Sequence, residues 1–311
     1  MGLKKKIKKL ISNPLWIIVF FNNRGLHFLN DKMYLKLLYK LQMKSNLDFN
    51  NPISFNEKLQ WLKLYDRKPE YTNMVDKYEV KKYIADSIGK EYIIPTLGIY
   101  DKFDDITWDS LPEQFVIKCT HDSGGLVICK NKADLNKQSC KKIINKRLRK
   151  KFYFSGREWP YKNVKPRIII EKYMVTESQQ ELIDYKFFCF NGVPKFLYVS
   201  EGLSDHSTAK ISFVDMDYNL VEFHRKDYKP FEKLPEKPKK FDEMKEIAAR
   251  LSENTHFLRV DLYEIEGKIY FGELTFFPAS GYIPFEPEKW DKELGKLLEL
   301  PLKRDSEKNE K

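Results

Sequence analysis

The alternation of apolar and polar positions predicts helices first and strands after them. Residues 31–44 read as a helix. Ser54-Phe55-Asn56-Glu57 is a capping box, opening a helix that runs to about Tyr65. Asp76 to Ile88 reads as another, ended by Gly89. Strands follow at Gln114–Cys119 and Leu126–Lys130, around His121-Asp122-Ser123-Gly124-Gly125. Residues 134–152 predict a basic helix, with Ile144, Leu148 and Phe152 at helical spacing. A loop-like stretch (157–167) with Pro160 and Pro166 leads to a buried strand, Ile168–Glu171. Tyr185–Phe190 and Lys195–Ser200 predict a hairpin around Asn191-Gly192, and Lys210–Asp215 with Asn219–Phe223 a second. A proline-rich link (228–240) precedes a helix from about Phe241 to Glu253, and a last helix is expected at 286–299. The pattern is α+β, with antiparallel sheets and helices between them.

The hairpin in FLRVDLYEIEGKIYFGELTFFPASG (257–281) allows two registers. A two-residue turn at Glu266-Gly267 sets Val260 opposite Glu273. A three-residue turn, Glu266-Gly267-Lys268, sets Leu258 opposite Phe276, Val260 opposite Leu274, and Asp261 opposite Glu273. The second register keeps one face apolar throughout, so the pattern selects it. Facing carboxylates are destabilising and call for a shared proton or a cation between them. Oxygen-only ligands of this kind suit Mg²⁺. Arg259 offers the alternative of an internal counter-charge.

Composition narrows the partners. The chain has 311 residues, 42% of them hydrophobic and 14% aromatic, with a net charge of +11. A basic surface favours anions. Cys119, Cys129, Cys140 and Cys189 show no CxxC spacing and read as reduced, buried and cytosolic. The N-terminus, MGLKKKIKKLISNPLWIIVFFNNRG, has an apolar run far too short to span a bilayer. Its lysines followed by Trp16, Phe20 and Phe21 suit either a peripheral contact with an anionic membrane through residues 1–21 or a helix docked on the core.

Three further features carry chemistry. In FVIKCTHDSGGLVICK, a strand lysine (Lys118) precedes a glycine loop and a return strand, which makes a phosphate clamp without the Walker pattern. Glu171 ends the apolar strand of IIIEKYM. Asp184 and Lys186 lie two apart on one strand and share a face.

In their order, these features resemble the ATP-grasp superfamily, and more closely its TupA-like branch of polysaccharide biosynthesis, over roughly residues 50–300. The resemblance implies two α+β domains clamping ATP, with a helical N-terminal region. It divides the chain into an N-terminal region (1–50), a pre-grasp region (51–113), a small subdomain with the glycine loop (114–183), a C-terminal subdomain with the Mg²⁺ site (184–303) and a charged tail (304–311). It implies that Lys118 contacts the α- and β-phosphates and that the 121–125 loop, with His121, Ser123, Gly124 and Gly125, closes over them. Glu171, Lys172 and Tyr173 would line the adenine site, and Asp184 would face the ribose. Lys186 and Arg259 would act near the transferred phosphoryl group. Asp261 and Glu273 would hold Mg²⁺, with Thr275 standing where the family pattern E-x-N has asparagine, a weaker ligand. The implied reaction is ATP-dependent joining of a carboxylate to an amine, with a sugar acid or amino acid, lipid-linked or free, as the carboxylate.

Two other readings compete. Asp215-Met216-Asp217 after the strand ISFV suits a glycosyltransferase D-x-D site, or a plain hairpin turn. The surrounding pattern is not the βαβ alternation of a nucleotide-sugar domain. A nucleic-acid binder fits the charge, but no recognised motif is present.

Overall fold

The computed structural model describes residues 13–23, 25–175, 182–202 and 208–301. The lysine-rich stretch 1–12, most of the segment expected at a membrane, and the charged tail lie outside the described residues.

Two antiparallel sheets organise the chain. β1 (Thr96–Tyr100), β2 (Phe115–Cys119), β3 (Val127–Cys129) and β4 (Ile168–Lys172) form one, in the order β1-β4-β2-β3. β5 (Asp184–Phe190), β6 (Val193–Glu201), β7 (Lys210–Val214), the short β8 (His224–Arg225), β9 (Phe257–Ile265), β10 (Lys268–Thr275) and β11 (Phe285–Glu286) follow. Of these, five form the second sheet, in the order β10-β9-β5-β6-β7, while β8 pairs with β11. The helices are α1 (Trp16–Asn22), α2 (Asp31–Met43), α3 (Phe55–Tyr65), α4 (Glu70–Val75), α5 (Val80–Ser87), α6 (Lys137–Leu148), α7 (Tyr153–Gly156), α8 (Phe241–Ser252) and α9 (Lys289–Leu297).

Each sheet has its own apolar core. Phe187, Leu197 and Phe213 of the five-stranded sheet pack with Leu59 of α3 and with Met244 and Leu251 of α8. α8 buries Phe241, Met244, Ile247, Ala248 and Leu251, a single helical stripe. Each large member of that stripe contributes about 1.5–3 kcal/mol, so Met244→Asp would undock the helix. Phe115, Ile117, Ile168 and Ile170 of the four-stranded sheet pack with Cys140 and Ile144 of α6. All four cysteines are buried and unpaired.

Local signals set most boundaries. The Ser54 hydroxyl accepts from the Glu57 N–H at 3.3 Å, and the Glu57 carboxylate accepts from the Ser54 N–H at 2.9 Å, closing the expected capping box. Asn30 caps α2, which ends one residue early at Met43 because Lys44 adopts a left-handed conformation. The helix expected from Asp76 begins only at Val80. The Asp76 carboxylate accepts from the Tyr78 and Glu79 N–H groups and makes a turn first. The basic helix is shorter than expected, since Asn136 caps it and it stops at Leu148. The second hairpin forms only one arm. Beyond β7 the return chain keeps a single bridge, Val214 to Leu220. The last helix starts at Lys289 rather than 286.

The 257–281 hairpin combines the two registers considered above. Glu266 and Gly267 both have positive φ, so the turn has two residues, not three. Near it Ile265 faces Lys268 and Leu262 faces Phe271. A bulge at Gly272 then adds one residue to β10, and beyond it Asp261 faces Glu273, Val260 faces Leu274 and Arg259 faces Thr275. The expected opposition of Asp261 and Glu273 is present, but a bulge produces it rather than a longer turn.

Candidate functional site

A cleft of about 850 Å³ lies between the two sheets. Strand pairing explains what faces it. On the five-stranded sheet Glu273 is opposite Asp261, Asp261 is opposite Lys186, and Lys186 is opposite Tyr198. This row crosses four strands, β10-β9-β5-β6, and all four side chains line the cleft. On the facing sheet Glu171 is paired with Val116, two residues before Lys118. Lys118 therefore reaches Glu171 diagonally, with Nζ at 2.5 Å from Oε2.

The acidic hairpin is bridged by a guanidinium. Arg259 Nε and Nη2 each donate to Asp261 at 2.6 Å, and Nη2 also donates to Glu273 Oε1 at 3.0 Å. The Thr275 hydroxyl donates to the same Glu273 oxygen at 2.9 Å. Lys186 Nζ lies 2.6 Å from Asp184 and 3.6 Å from Asp261. Burial pushes the Asp261 carboxyl up, with Arg259 and Lys186 opposing it. Burial acts on Glu273 in the same direction, but Arg259 and Lys77 hold it below the ordinary glutamate range. Neighbouring carboxylates are thus set apart in acidity by their surroundings.

The glycine loop after β2 is tied down from below. Asp122 is fully buried, 2.8 Å from Arg147 Nε and 3.2 Å from Lys150 Nζ. The end of the basic helix therefore anchors the glycine loop. Gly124 and Gly125 have φ of +87° and +71°, and a Cβ on Gly125 would stand 1.9 Å from Arg147 Nε. Only glycine fits a left-handed position under that arginine.

Of the residues singled out in the sequence, the cleft gathers Lys118, Ser123, Gly124, Gly125, Glu171, Asp184, Lys186, Arg259, Asp261 and Glu273. Four are placed differently. His121 is buried beneath the loop, its Nε2 3.0 Å from the Lys150 carbonyl. Lys172 is exposed, and its N–H donates to the Pro95 carbonyl. Tyr173 is outside the cleft lining, and so is Thr275, which meets the site through Glu273. Asp215 and Asp217 also lie outside it. The Asp215 carboxylate accepts from the Asp217 and Asn219 N–H groups at 2.9 and 2.8 Å, the turn reading of that motif.

Sequence reasoning missed Lys77 and Lys81. Lys81 Nζ stands 2.6 Å from Glu171 Oε1 and donates to the Ile94 carbonyl at 2.6 Å. Lys77 Nζ donates to the Asp122 carbonyl at 2.6 Å. Burial lowers both amines, most directly opposed by Glu273 at Lys77 and by Glu171 at Lys81. Lys77 and Lys81 share a helical spacing of four, but lysine is too common in this chain for that to mark a site. Ile93, Ile94, Leu126, Ile128 and Phe271 close the cleft with apolar surface. Among the lining side chains five bases (Lys77, Lys81, Lys118, Lys186, Arg259) face four acids (Glu171, Asp184, Asp261, Glu273). Apolar walls and convergent charges of this kind suit a ligand with a flat ring and several negative charges.

The TupA-like ATP-grasp family profile matches residues 57–299. Solved structures with a similar fold include the D-alanine–D-alanine ligase of Bacillus anthracis complexed with ATP, 17% identical, covering 76% of this chain and 69% of that chain with a TM-score of 0.43. The D-alanine–D-alanine ligase of Helicobacter pylori is 17% identical over 79% of this chain and 69% of that one, with a TM-score of 0.42. The ATP-grasp ligase PsnB, solved with minimal precursor, Mg and ADP, is 10% identical over 79% and 62%, with a TM-score of 0.37. No curated protein matches in sequence. The match over most of its length defines an ATP-grasp protein. The chain belongs to the TupA-like ATP-grasp family.

Proposed function

We propose that this protein binds ATP with Mg²⁺ in the inter-sheet cleft and joins a carboxylate to an amine. The carboxylate oxygen takes the γ-phosphoryl group and ADP leaves. The amine nitrogen then attacks the acyl carbon, and phosphate leaves with the amide formed. We further propose a sugar acid or an amino acid as the carboxylate, in synthesis of a cell-envelope polysaccharide, consistent with the family branch.

One observation carries the reading: Asp261 and Glu273 face each other beside three cations, Arg259, Lys186 and Lys77, across the cleft from Lys118 and the glycine loop. Two carboxylates with only oxygen donors fit Mg²⁺, which takes one or two carboxylates and completes its shell with phosphate and water. Bound there by Asp261 and Glu273, Mg²⁺ would neutralise charge developing on the phosphates. Thr275 would orient Glu273 through their hydrogen bond rather than ligate. Arg259 would meet the transferred phosphoryl oxygens, its guanidinium being held in the same plane of contacts by Asp261. Lys118 and Lys77 would hold the remaining phosphate oxygens, with Glu171 fixing the Lys118 ammonium in place. Asp184 would accept from a ribose hydroxyl while steering Lys186. The Gly124-Gly125 backbone would wrap the phosphates, and the apolar end of the cleft would take the adenine. These groups act by positioning and by charge placed in advance.

The test is calorimetric titration of ATP with and without Mg²⁺, on the wild type and on Glu273→Ala, followed by ADP release across a panel of sugar acids and amino acids. Mg²⁺-dependent binding in the wild type, lost in the variant, is expected. Absence of ATP binding to the wild type would overturn the reading.

A further inference from the structure

Among the described residues thirteen large apolar side chains are exposed, and six of them fall within 15–33: Leu15, Ile17, Phe21, Leu26, Phe28 and Met33. Such clustering on a protein surface marks an interaction site. Phe28 is the most exposed of all thirteen, at 62%. Ile17 and Phe21 stand four apart on α1, so they share its outer face. The inner face buries Val19 and Asn22.

The patch is rigidly mounted. Arg157, 1% exposed, donates to Asn22 Oδ1 at 2.9 Å and to the Phe154 carbonyl at 3.0 Å, and lies 3.0 Å from Asp31. Asn22 Nδ2 donates to the Phe154 carbonyl at 2.6 Å. Buried polar contacts like these fix α1 and the start of α2 to the body of the protein.

Charge identifies the occupant. Residues 1–30 carry Lys4, Lys5, Lys6, Lys8, Lys9 and Arg24, and no acid precedes Asp31. A second copy docked here would set two such basic stretches against each other, which repel. A nucleic acid would satisfy the lysines but offer no apolar interior to six exposed hydrophobic side chains. An anionic lipid surface offers both, a negative plane for the lysines and acyl chains for the apolar groups.

We propose that the exposed apolar side chains of Leu15, Ile17, Phe21, Leu26, Phe28 and Met33 seat the protein on a lipid bilayer in a peripheral manner, and that the basic charge of the sequence before them selects an anionic one. Among the described residues no helix is long and apolar enough to cross a membrane. A peripheral seat would present the cleft to substrates held at that surface. Seating requires neither ATP nor catalysis, so it stands or falls apart from the ligase reading.

The experiment is co-sedimentation of the full chain, without nucleotide, with phosphatidylglycerol and with phosphatidylcholine vesicles. Phosphatidylglycerol binding is expected to be about tenfold tighter or more, and to weaken in about 0.5 M salt. The exposed-residue variant Ile17→Ser/Phe21→Ser/Phe28→Ser should keep its Tm and lose most of the binding. The variant Lys4→Gln/Lys5→Gln/Lys6→Gln/Lys8→Gln/Lys9→Gln should lose the preference for phosphatidylglycerol. No binding by the wild type would overturn the proposal, as would binding unchanged in the serine variant. So would a wild-type dimer that the serine substitutions dissolve while vesicles bind neither protein.

Discussion

Arg259 holds the two acidic arms of the hairpin together by donating to both Asp261 and Glu273. Removing the arginine leaves a buried Asp261 facing Glu273 with only Lys186 and Lys77 nearby, and like charges at that distance repel. Arg259→Met is therefore expected to lower ADP release by at least about a hundredfold while raising the apparent affinity for Mg²⁺, measured by titrating the metal. Glu171 gives a prediction about pH. Burial alone would raise its pKa, but Lys118 and Lys81 hold it below the usual 4.5. A carboxylate lowered on folding adds stability that is complete above the unfolded value, and loses it as pH falls through the folded one. Glu171→Gln should thus flatten the acid limb of stability below about pH 4.5, seen by urea unfolding across pH. Its cost near neutrality is about 1–2 kcal/mol, modest for a buried pair because Lys118 remains partly in water.

At the scale of elements, Gly272 and α3 set the geometry. The bulge at Gly272 converts a register that would pair Val260 with Glu273 into one that pairs Asp261 with Glu273. A Cβ there would lie 2.9 Å from the Tyr263 ring and 3.1 Å from the Asp261 carbonyl. Gly272→Val should cost about 1–3 kcal/mol and abolish the Mg²⁺ dependence of ATP binding, checked by unfolding and calorimetry together. α3 does the complementary job on the segment after β10. Asn56, Gln60 and Lys63 are fully buried, at positions i, i+4 and i+7. Asn56 exchanges two hydrogen bonds with Ile283, and Gln60 donates to the Gly281 carbonyl at 2.8 Å. Lys63 Nζ donates to the carbonyls of Gly156 and Ser280, each at 2.8 Å. Burial pushes its pKa down to about 7, with Glu158 opposing the fall. Ala279 and Ser280 keep left-handed conformations at φ of 49° and 54° under this grip. Lys63→Met would orphan the Gly156 carbonyl and take from the buried Glu158 its foremost counter-charge, at a cost of about 2–4 kcal/mol, read from thermal unfolding.

Across the whole molecule, the site exists only because two separate sheets meet. Lys118, Glu171 and the glycine loop belong to the four-stranded sheet and its β2–β3 connection, and Asp184, Lys186, Asp261 and Glu273 to the five-stranded sheet. A ligand held by both must stabilise their closed arrangement. ATP with Mg²⁺ at about a hundred times its Kd should add about 2.7 kcal/mol, visible as a rise in Tm. Asp261→Ala should lose most of that rise, measured against its own unliganded Tm in the same scan. The hydrophobic pattern allowed the α+β class to be read from the sequence, and it put Lys118, Glu171, Asp184, Lys186, Asp261 and Glu273 on strands, where the structure has them. His121 lies outside the cleft lining because the neighbouring Asp122, buried against Arg147 and Lys150, draws the foot of the loop into the core. Lys77 and Lys81 stayed hidden among many lysines.

The sequence by itself determined the local elements and the apolar faces that build the two cores: Ser54 and Glu57 close a capping box, and the stripe from Phe241 to Leu251 is a helix wherever it packs. Alternation also determined that Asp261 and Glu273 share a face, since mixing that face with the other would bury charge among phenylalanines. Only the tertiary structure decided what stands opposite them. Which lysine reaches Glu171, and whether Arg259 or solvent fills the space between two carboxylates, depends on how two sheets and α5 approach each other. Those contacts join residues about a hundred positions apart, such as Lys81 and Glu171, and no local period encodes them.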